Sequence, residues 1–341
     1  MKVGILTSGG DCPGLNPVIR AVVRHGINQG YEIIGIKDGW KGLIGSNYLK
    51  LDLDAVSGIL SKGGTILGTS RTNPYKKEND INRLIENLKK LNLEALITVG
   101  GEDTLGVAVK LIKDGVNNIV GVPKTIDNDL SCTDYTFGFD SALNIVMDCL
   151  DRLHTTAESH HRVIIAEVMG RHAGWIATLG GIAGGADVIL IPEIPFDIDE
   201  VCNFLKKKHQ RGKTFSVIVV AEGAMFKNKE IRQEEKLDEF GHIRLGGIGE
   251  TLRKEIEAKT GYETRVSVLG HIQRGGSPTA FDRILGTRFG IHAIELIKQK
   301  KFGHMIALSG NKIISVPLEE AVKKLKTIDM EFYEVAKVFF G

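Results

Sequence analysis

Two short clusters carry the groups best suited to chemistry. Residues 97–106 read Ile-Thr-Val-Gly-Gly-Glu-Asp-Thr-Leu-Gly, and residues 122–130 read Val-Pro-Lys-Thr-Ile-Asp-Asn-Asp-Leu. Each follows an apolar run, at 95–99 and 118–122, with the composition of a buried parallel strand. Loops at the carboxyl ends of such strands are where open α/β sheets bind ligands. The first cluster offers a glycine pair, the carboxylates Glu102 and Asp103 and the hydroxyl of Thr104. The second offers Lys124, Thr125 and two carboxylates, Asp127 and Asp129. Glycine ahead of a helix N-terminus suits phosphate, and carboxylates beside phosphate suit Mg²⁺. The chemistry these groups point to is phosphoryl transfer.

The elements that must position them alternate. A strand at 3–6 leads into Thr-Ser-Gly-Gly-Asp-Cys-Pro-Gly-Leu-Asn and a helical stretch over 15–28. This loop matches neither GxGxxG nor the Walker pattern, and by itself is as readily a tight turn as a ligand loop. A strand at 31–36, a loop at 38–46, a Gly/Thr/Ser-rich stretch at 61–74 and a helix at 78–91 follow. Beyond the two clusters the spacing predicts a long helix over 136–157, then strands at 163–168, 188–191, 216–220 and 263–269 with helices between them. The segment 227–244 reads as an exposed loop, 305–316 as a hairpin and 318–341 as a helical tail. This alternation predicts two similar α/β halves. The expected division is 1–138, with part of 252–303 returned by chain crossover, against 139–251 with 304–341.

With 341 residues, 42% hydrophobic content and a net charge of +2, the composition excludes disordered and nucleic-acid-coating classes. No apolar run approaches the length of a membrane span, and the first residues, with no apolar h-region and cleavage site, are expected to form a strand rather than a signal segment. The four cysteines, Cys12, Cys132, Cys149 and Cys202, have no ligand-like spacing and read as reduced, mostly buried thiols. The expected location is cytoplasmic, with neither nucleic acid nor membrane as partner.

With these loops in place, the sequence resembles the 6-phosphofructokinases nearly end to end. The resemblance rests on Gly9-Gly10-Asp11-Cys12-Pro13-Gly14-Leu15-Asn16, Gly100-Gly101-Glu102-Asp103-Thr104, residues 123–129, Met169-Gly170-Arg171-His172-Ala173-Gly174, Ala221-Glu222-Gly223-Ala224 and residues 269–276, in that order. It implies two Rossmann-like three-layer α/β domains with the active site in the cleft between them, donor and Mg²⁺ on the first and fructose 6-phosphate on the second. The implied assembly is a homotetramer or homodimer. The implied reaction moves a phosphoryl group from ATP or inorganic diphosphate to the 1-hydroxyl of fructose 6-phosphate. Where the ATP enzymes carry glycine, this chain has Asp103 and Lys124, the pattern of the diphosphate-dependent branch.

The resemblance gives each residue a role. Asp127 is the general base, and its chemistry agrees: a carboxylate can take the hydroxyl proton and align the attacking oxygen. Glu102 takes the metal position, and Asp129 orients Asp127 or holds Mg²⁺ through water. Gly10, Arg71 and Thr104 contact the donor, and Thr125 contacts substrate or donor. Met169, Gly170 and Arg171 form the loop over the sugar, with Arg171 steadying transition-state charge, and Glu222 accepts from sugar hydroxyls. Arg162, Arg265, His271 and Arg274 hold the sugar phosphate, with Arg162 and Arg265 reaching in from a neighbouring subunit. Asp103 would crowd and repel the α-phosphate of a nucleotide. Two like charges at ~4 Å cost on the order of 4 kcal/mol at an effective dielectric near 20, roughly a thousandfold in affinity. Lys124 adds a cation for the transferring or leaving group. An ATP-dependent enzyme of the same fold and a non-catalytic regulatory subunit are the alternatives.

Overall fold

The computed structural model describes residues 1–228, 236–237, 243–244, 247–338 and 340. The elements run β1 (Lys2–Thr7), α1 (Leu15–Asn28), β2 (Glu32–Ile36), α2 (Gly39–Ile44), β3 (Tyr48–Leu51), α3 (Asp80–Lys90), β4 (Ala95–Gly100), α4 (Glu102–Lys113) and β5 (Ile119–Pro123). Then come α5 (Phe139–His160), β6 (Val163–Val168), α6 (Trp175–Ala183), β7 (Val188–Leu190), α7 (Ile198–Gln210) and β8 (Ser216–Ala221). The short pair β9 (Lys236–Leu237) and β10 (Ile243–Arg244) precedes α8 (Ile248–Thr260), β11 (Thr264–Val268) and a 3-10 turn at Gly270–Arg274. The chain closes with α9 (Ala280–Lys298), β12 (His304–Ser309), β13 (Lys312–Pro317), α10 (Leu318–Lys323) and α11 (Met330–Lys337).

The contacts divide these elements into two units. Unit 1 is Met1–Ile126, Leu130–Ser141 and Arg274–Leu325; unit 2 is Asp127–Asp129, Ala142–Gln273 and Lys326–Gly341. Unit 1 is built on a seven-stranded sheet ordered β13-β12-β5-β4-β1-β2-β3. Its inner strands are parallel, and β3 and β13 close the edges antiparallel. β4 and β5 are buried along their whole length, which is why they read as unbroken apolar runs. Leu6, Leu43, Leu88, Leu96, Leu105 and Leu111 are among the side chains filling one side of this sheet. Unit 2 holds a four-stranded parallel sheet ordered β11-β6-β8-β7, with Val163, Ile165, Leu205, Ile218, Leu252 and Ile256 in its core. Among the described residues no helix is long and apolar enough to cross a membrane.

The two α/β halves are as the alternation predicts, but their segments differ from the expected division. β12 pairs with β5, so the 304–325 stretch belongs to unit 1, and β11 pairs with β6, so α8 and β11 belong to unit 2. Strand partnership across long sequence separations leaves no local signal. The long helix begins at Phe139 rather than 136: the Thr136 hydroxyl is spent on the Thr125 carbonyl, and Gly138 has a positive φ of 96°. The stretch expected as a loop at 38–46 contains α2, which buries Trp40. The tail is two helices interrupted over 324–329 rather than one. Much of the expected loop at 227–244 lies outside the described residues. Cys12 and Cys202 are buried, Cys149 is half-buried and Cys132 is exposed, so burial holds for only two of the four thiols.

Helix α9 lies against α1 through glycine. A Cβ at Gly290 would sit 2.6 Å from the Val18 carbonyl oxygen and 2.7 Å from Ala21 Cβ, and one at Gly286 would sit 2.9 Å from the Gly14 oxygen. Gly14 ends the loop after β1, so this packing also seats that loop. Gly290→Ala should lower the stability of the fold by about 1–3 kcal/mol through overpacking. Chemical denaturation of the purified variant checks it, and an unchanged midpoint would refute the close-approach account.

Candidate active site

In unit 1 the carboxyl ends of β1, β4 and β5 lie side by side. The chain leaves β1 toward β2 on one side, while β4 and β5 continue on the other, so the switch point of the sheet falls between β1 and β4. That crevice is where an open sheet binds its ligand. The loop after β1 is pinned from the 65–70 segment. Gly9 N–H donates to the Ser70 carbonyl at 3.0 Å, and the Thr69 hydroxyl donates to the Gly9 carbonyl at 2.7 Å. Asn16, buried at the start of α1, accepts from Ile66 N–H at 2.9 Å and donates to the Lys62 carbonyl at 3.1 Å.

Lys124, at the end of β5, is only 3% exposed. Its backbone N–H continues the β4 ladder to the Gly100 carbonyl at 2.9 Å, and its ammonium donates to the Gly10 carbonyl. A Cβ at Gly9 would stand 3.3 Å from Lys124 Nζ and 3.5 Å from the Thr104 hydroxyl. Three strand ends therefore converge on one small volume, and Gly9, with φ of 84°, leaves it open. Arg274 joins them: its Nη1 donates to the Asp11 carbonyl at 3.2 Å and its guanidinium lies where a Gly10 Cβ would be. The structure places Arg274 on the β1 loop of unit 1, whereas His271 belongs to unit 2. Burial pushes the Lys124 ammonium down to about 8, a shift eased by Asp11 and deepened by Arg274 and Arg71. Burial likewise pushes the Cys12 thiol up to about 12, so it stays protonated and serves as packing.

Glu102 and Asp103 are the first two residues of α4, half-buried, with Gly101 as N-cap and no side-chain capping bond. Two carboxylates in a first turn are favoured by the helix dipole. Thr104 is buried against Gly100, where a Cβ would overlap its side chain. Mg²⁺ at phosphoryl-transfer centres takes one or two protein carboxylates and completes its shell with substrate oxygens and water. The residues fit that pattern: Glu102 stands at a strand end beside the glycine loop, and no group of three or more His, Cys, Asp or Glu able to cage a metal occurs among the described residues.

In unit 2 the carboxyl ends of β6, β8 and β11 carry Met169-Gly170-Arg171, Glu222 and His271. Glu222 N–H donates to the Val168 carbonyl at 2.8 Å and Gly223 N–H to the Gly170 carbonyl at 3.2 Å. A Cβ at Gly223 would overlap the Arg171 carbonyl, so only glycine lets the two turns nest. Gln273, fully buried, accepts from Met169 N–H at 3.2 Å and donates to the Gly270 carbonyl at 3.1 Å. In the sequence Gln273 is only one residue of the 269–276 motif; a buried amide between two backbone loops has no signature in spacing. Asp127 and Asp129 group with unit 2, flanking buried Asn128 at φ of 51°, a conformation asparagine tolerates better than most residues.

Arg162 and Arg265 stand at the opposite end of the unit 2 sheet from these loops. Both sit at the amino ends of their strands: Arg162 precedes β6 and Arg265 is the second residue of β11. They share Glu263, Arg162 at 2.8 Å and Arg265 at 2.5 Å, and the bond from Arg162 holds that carboxyl below its usual range. Roughly 20 Å of strand separates Arg162 from Met169, so one chain cannot bring both to one ligand. Two histidines outside these loops are held by side chains: His25 meets Glu295 at 2.6 Å and His161 meets Thr214 at 2.6 Å. Asp187 is engaged internally, by Lys208 at 2.6 Å and Val217 N–H at 2.8 Å.

These loops, on two α/β sheets, carry the pattern of a phosphoryl-transfer enzyme, and the phosphofructokinase family model matches residues 2–297. The chain belongs to the phosphofructokinase family. It is 57% identical over 343 residues to the pyrophosphate–fructose 6-phosphate 1-phosphotransferase of Streptomyces coelicolor, covering 100% of both chains. It is 51% identical over 339 residues to ATP-dependent 6-phosphofructokinase 3 of the same organism, covering 99% of both. Among solved structures, Pichia pastoris phosphofructokinase in the T-state superposes with a TM-score of 0.84 at 33% identity. That match covers 99% of this chain and 38% of the yeast chain.

The Lys124 shift has a sign that can be checked. The unfolded lysine keeps its proton up to its ordinary value of 10.5, while the folded one releases it near 8. Between those values the unfolded chain binds more protons, so this group makes stability rise with pH. Thermal unfolding from pH 8 to 10 should show a rising component on the order of several degrees that Lys124→Met lacks. Parallel curves for both proteins would mean the ammonium is not perturbed.

Proposed function

We propose that this protein transfers a phosphoryl group from inorganic diphosphate to the 1-hydroxyl of fructose 6-phosphate, giving fructose 1,6-bisphosphate and phosphate. A single observation carries the donor reading: Lys124 is buried with its ammonium on the Gly10 carbonyl, beside a helix whose first turn holds Asp103. A compact, highly charged donor without a nucleoside needs a desolvated cation close to its phosphates, where each Coulomb contact is strongest. Asp103 in turn opposes a third phosphate. The 57% identity to a diphosphate enzyme supports the same donor.

The roles then follow the loops. Gly10, Arg71 and Thr104 hold the donor, with Lys124 and Asp103 setting its identity. Glu102 would hold Mg²⁺, which offsets charge on the donor oxygens when bound. Asp127 takes the proton from the sugar hydroxyl, with Asp129 and Thr125 beside it. Met169, Gly170, Arg171 and Glu222 bind the sugar, and Arg171 steadies charge in the transition state. His271 and Arg274 hold the sugar phosphate, and Arg274 also donates to the Asp11 carbonyl on the donor loop. Arg162 and Arg265 lie at the wrong end of their own strands for that work. They serve the site of a neighbouring copy in a homodimer or homotetramer, presented by their shared Glu263. The diphosphate bond is close in energy to the ester formed, so the reaction runs in either direction in glycolysis or gluconeogenesis. An ATP-dependent enzyme is the second reading, favoured by 51% identity to one such relative.

Purified protein with Mg²⁺ and fructose 6-phosphate should turn over faster with diphosphate than with ATP; the reverse order would sink the donor assignment. Asp127→Ser should lower kcat by about 10²–10⁴-fold while leaving substrate binding in place, as measured by steady-state kinetics. Asp103→Gly combined with Lys124→Gly should weaken diphosphate use and admit ATP, read as the ratio of the two kcat/KM values. An unmoved ratio would place donor selection elsewhere.

A further inference from the structure

The 326–329 segment, between α10 and α11, ties together two loops that are distant in sequence. Lys326 N–H donates to the carbonyl of Asp129 at 2.8 Å. The carbonyl of Lys326 accepts from the indole Nε1 of Trp175 at 3.1 Å, and its ammonium lies 4.9 Å from the centre of the same ring. Two residues on, Ile328 is buried and its N–H donates to Glu193 Oε1 at 3.0 Å. That same oxygen accepts from Gly174 N–H at 2.9 Å. Gly174 closes the loop that begins at Met169, and Trp175 opens α6 behind it. Beyond the segment, α11 is seated by the Tyr333 hydroxyl on the Ile189 carbonyl at 2.9 Å and by Phe332 edge-on to Trp175. One carboxylate oxygen thus clamps the sugar loop to a strap, and the strap holds the backbone beside Asp127.

We propose that Glu193 is a positioning residue for the reaction: through residues 326–328 it sets the placement of the 127–129 backbone relative to the 169–174 loop. The inference rests on the reading of Asp127 as base. Asp127 follows Thr125 in a loop that turns through the left-handed Asn128, so its direction depends on both flanks of that turn. The Thr125 carbonyl is held by Thr136 on one side and the Asp129 carbonyl by the strap on the other. Asp127 thus has a backbone anchor on each side. A carboxylate moved by about 1 Å loses on the order of a hundredfold in rate without losing its substrates.

The discriminating set is Glu193→Ala, Glu193→Gln and Trp175→Phe, with kinetics and hydrogen–deuterium exchange over 125–131 measured on each. Glutamine keeps an oxygen that accepts from both Gly174 and Ile328, while alanine removes it. Glu193→Ala should lower kcat by about 10–100-fold with KM for fructose 6-phosphate and diphosphate within about threefold. Glu193→Gln should restore kcat to within about threefold. Exchange at 125–131 should quicken about tenfold in the alanine variant and not in the glutamine variant. Trp175→Phe removes the donor to the strap while keeping an aromatic ring against Phe332 and Lys326, and should shift kcat and exchange in the same direction, which keeps the test open if the alanine variant fails to fold. Unchanged kcat and exchange in the folded variants would overturn the proposal. So would a fall in kcat with no change at 125–131, or equal losses in alanine and glutamine. If the wild type phosphorylated no fructose 6-phosphate, the functional reading would fail, while the exchange arm would still decide the clamp.

Discussion

An ammonium group buried at the end of a parallel strand is the constraint around which unit 1 is arranged. Desolvating a cation is expensive unless polar groups surround it. Lys124 meets that demand with the Gly10 carbonyl, which faces it because the loop after β1 turns through Gly9 at positive φ. The loop in turn is held by Ser70, Thr69 and Asn16, and its far end is seated by α9 against α1. Remove any of these and the ammonium loses its partner or its shelter.

Unit 2 solves a different problem, the joining of several turns at the carboxyl ends of strands. It does so with few side chains. Gly223 lets the β8 turn nest on Arg171, Gln273 spans Met169 and Gly270, and Glu193 joins Gly174 to Ile328. Each of these residues fixes backbone in its place. The side chains on these turns are therefore carried by backbone whose conformation is already set. The arginine pair at the opposite end of the same sheet shares one carboxylate and so is held as a preformed fork.

Local pattern alone reveals much of unit 1. Apolar runs followed by Gly, Thr and Asp marked β1, β4 and β5, and helical spacing placed α1 at its observed bounds. The motif order identified the phosphofructokinase family, because glycine-rich turns and paired carboxylates are local in sequence and constrained by chemistry. Tertiary structure decided what depends on distant partners. The pairing of β12 with β5 moved residues 304–325 into unit 1, the amino-end position of Arg162 and Arg265 separated them from the 169–171 loop, and Arg274 joined the Gly10 turn. The tail read as helix, yet its function in the fold lies in the unwound 326–329 stretch. A backbone N–H donates whatever its side chain, so periodicity cannot announce a strap. Local patterns reveal which groups can react; only packing reveals which backbone holds them.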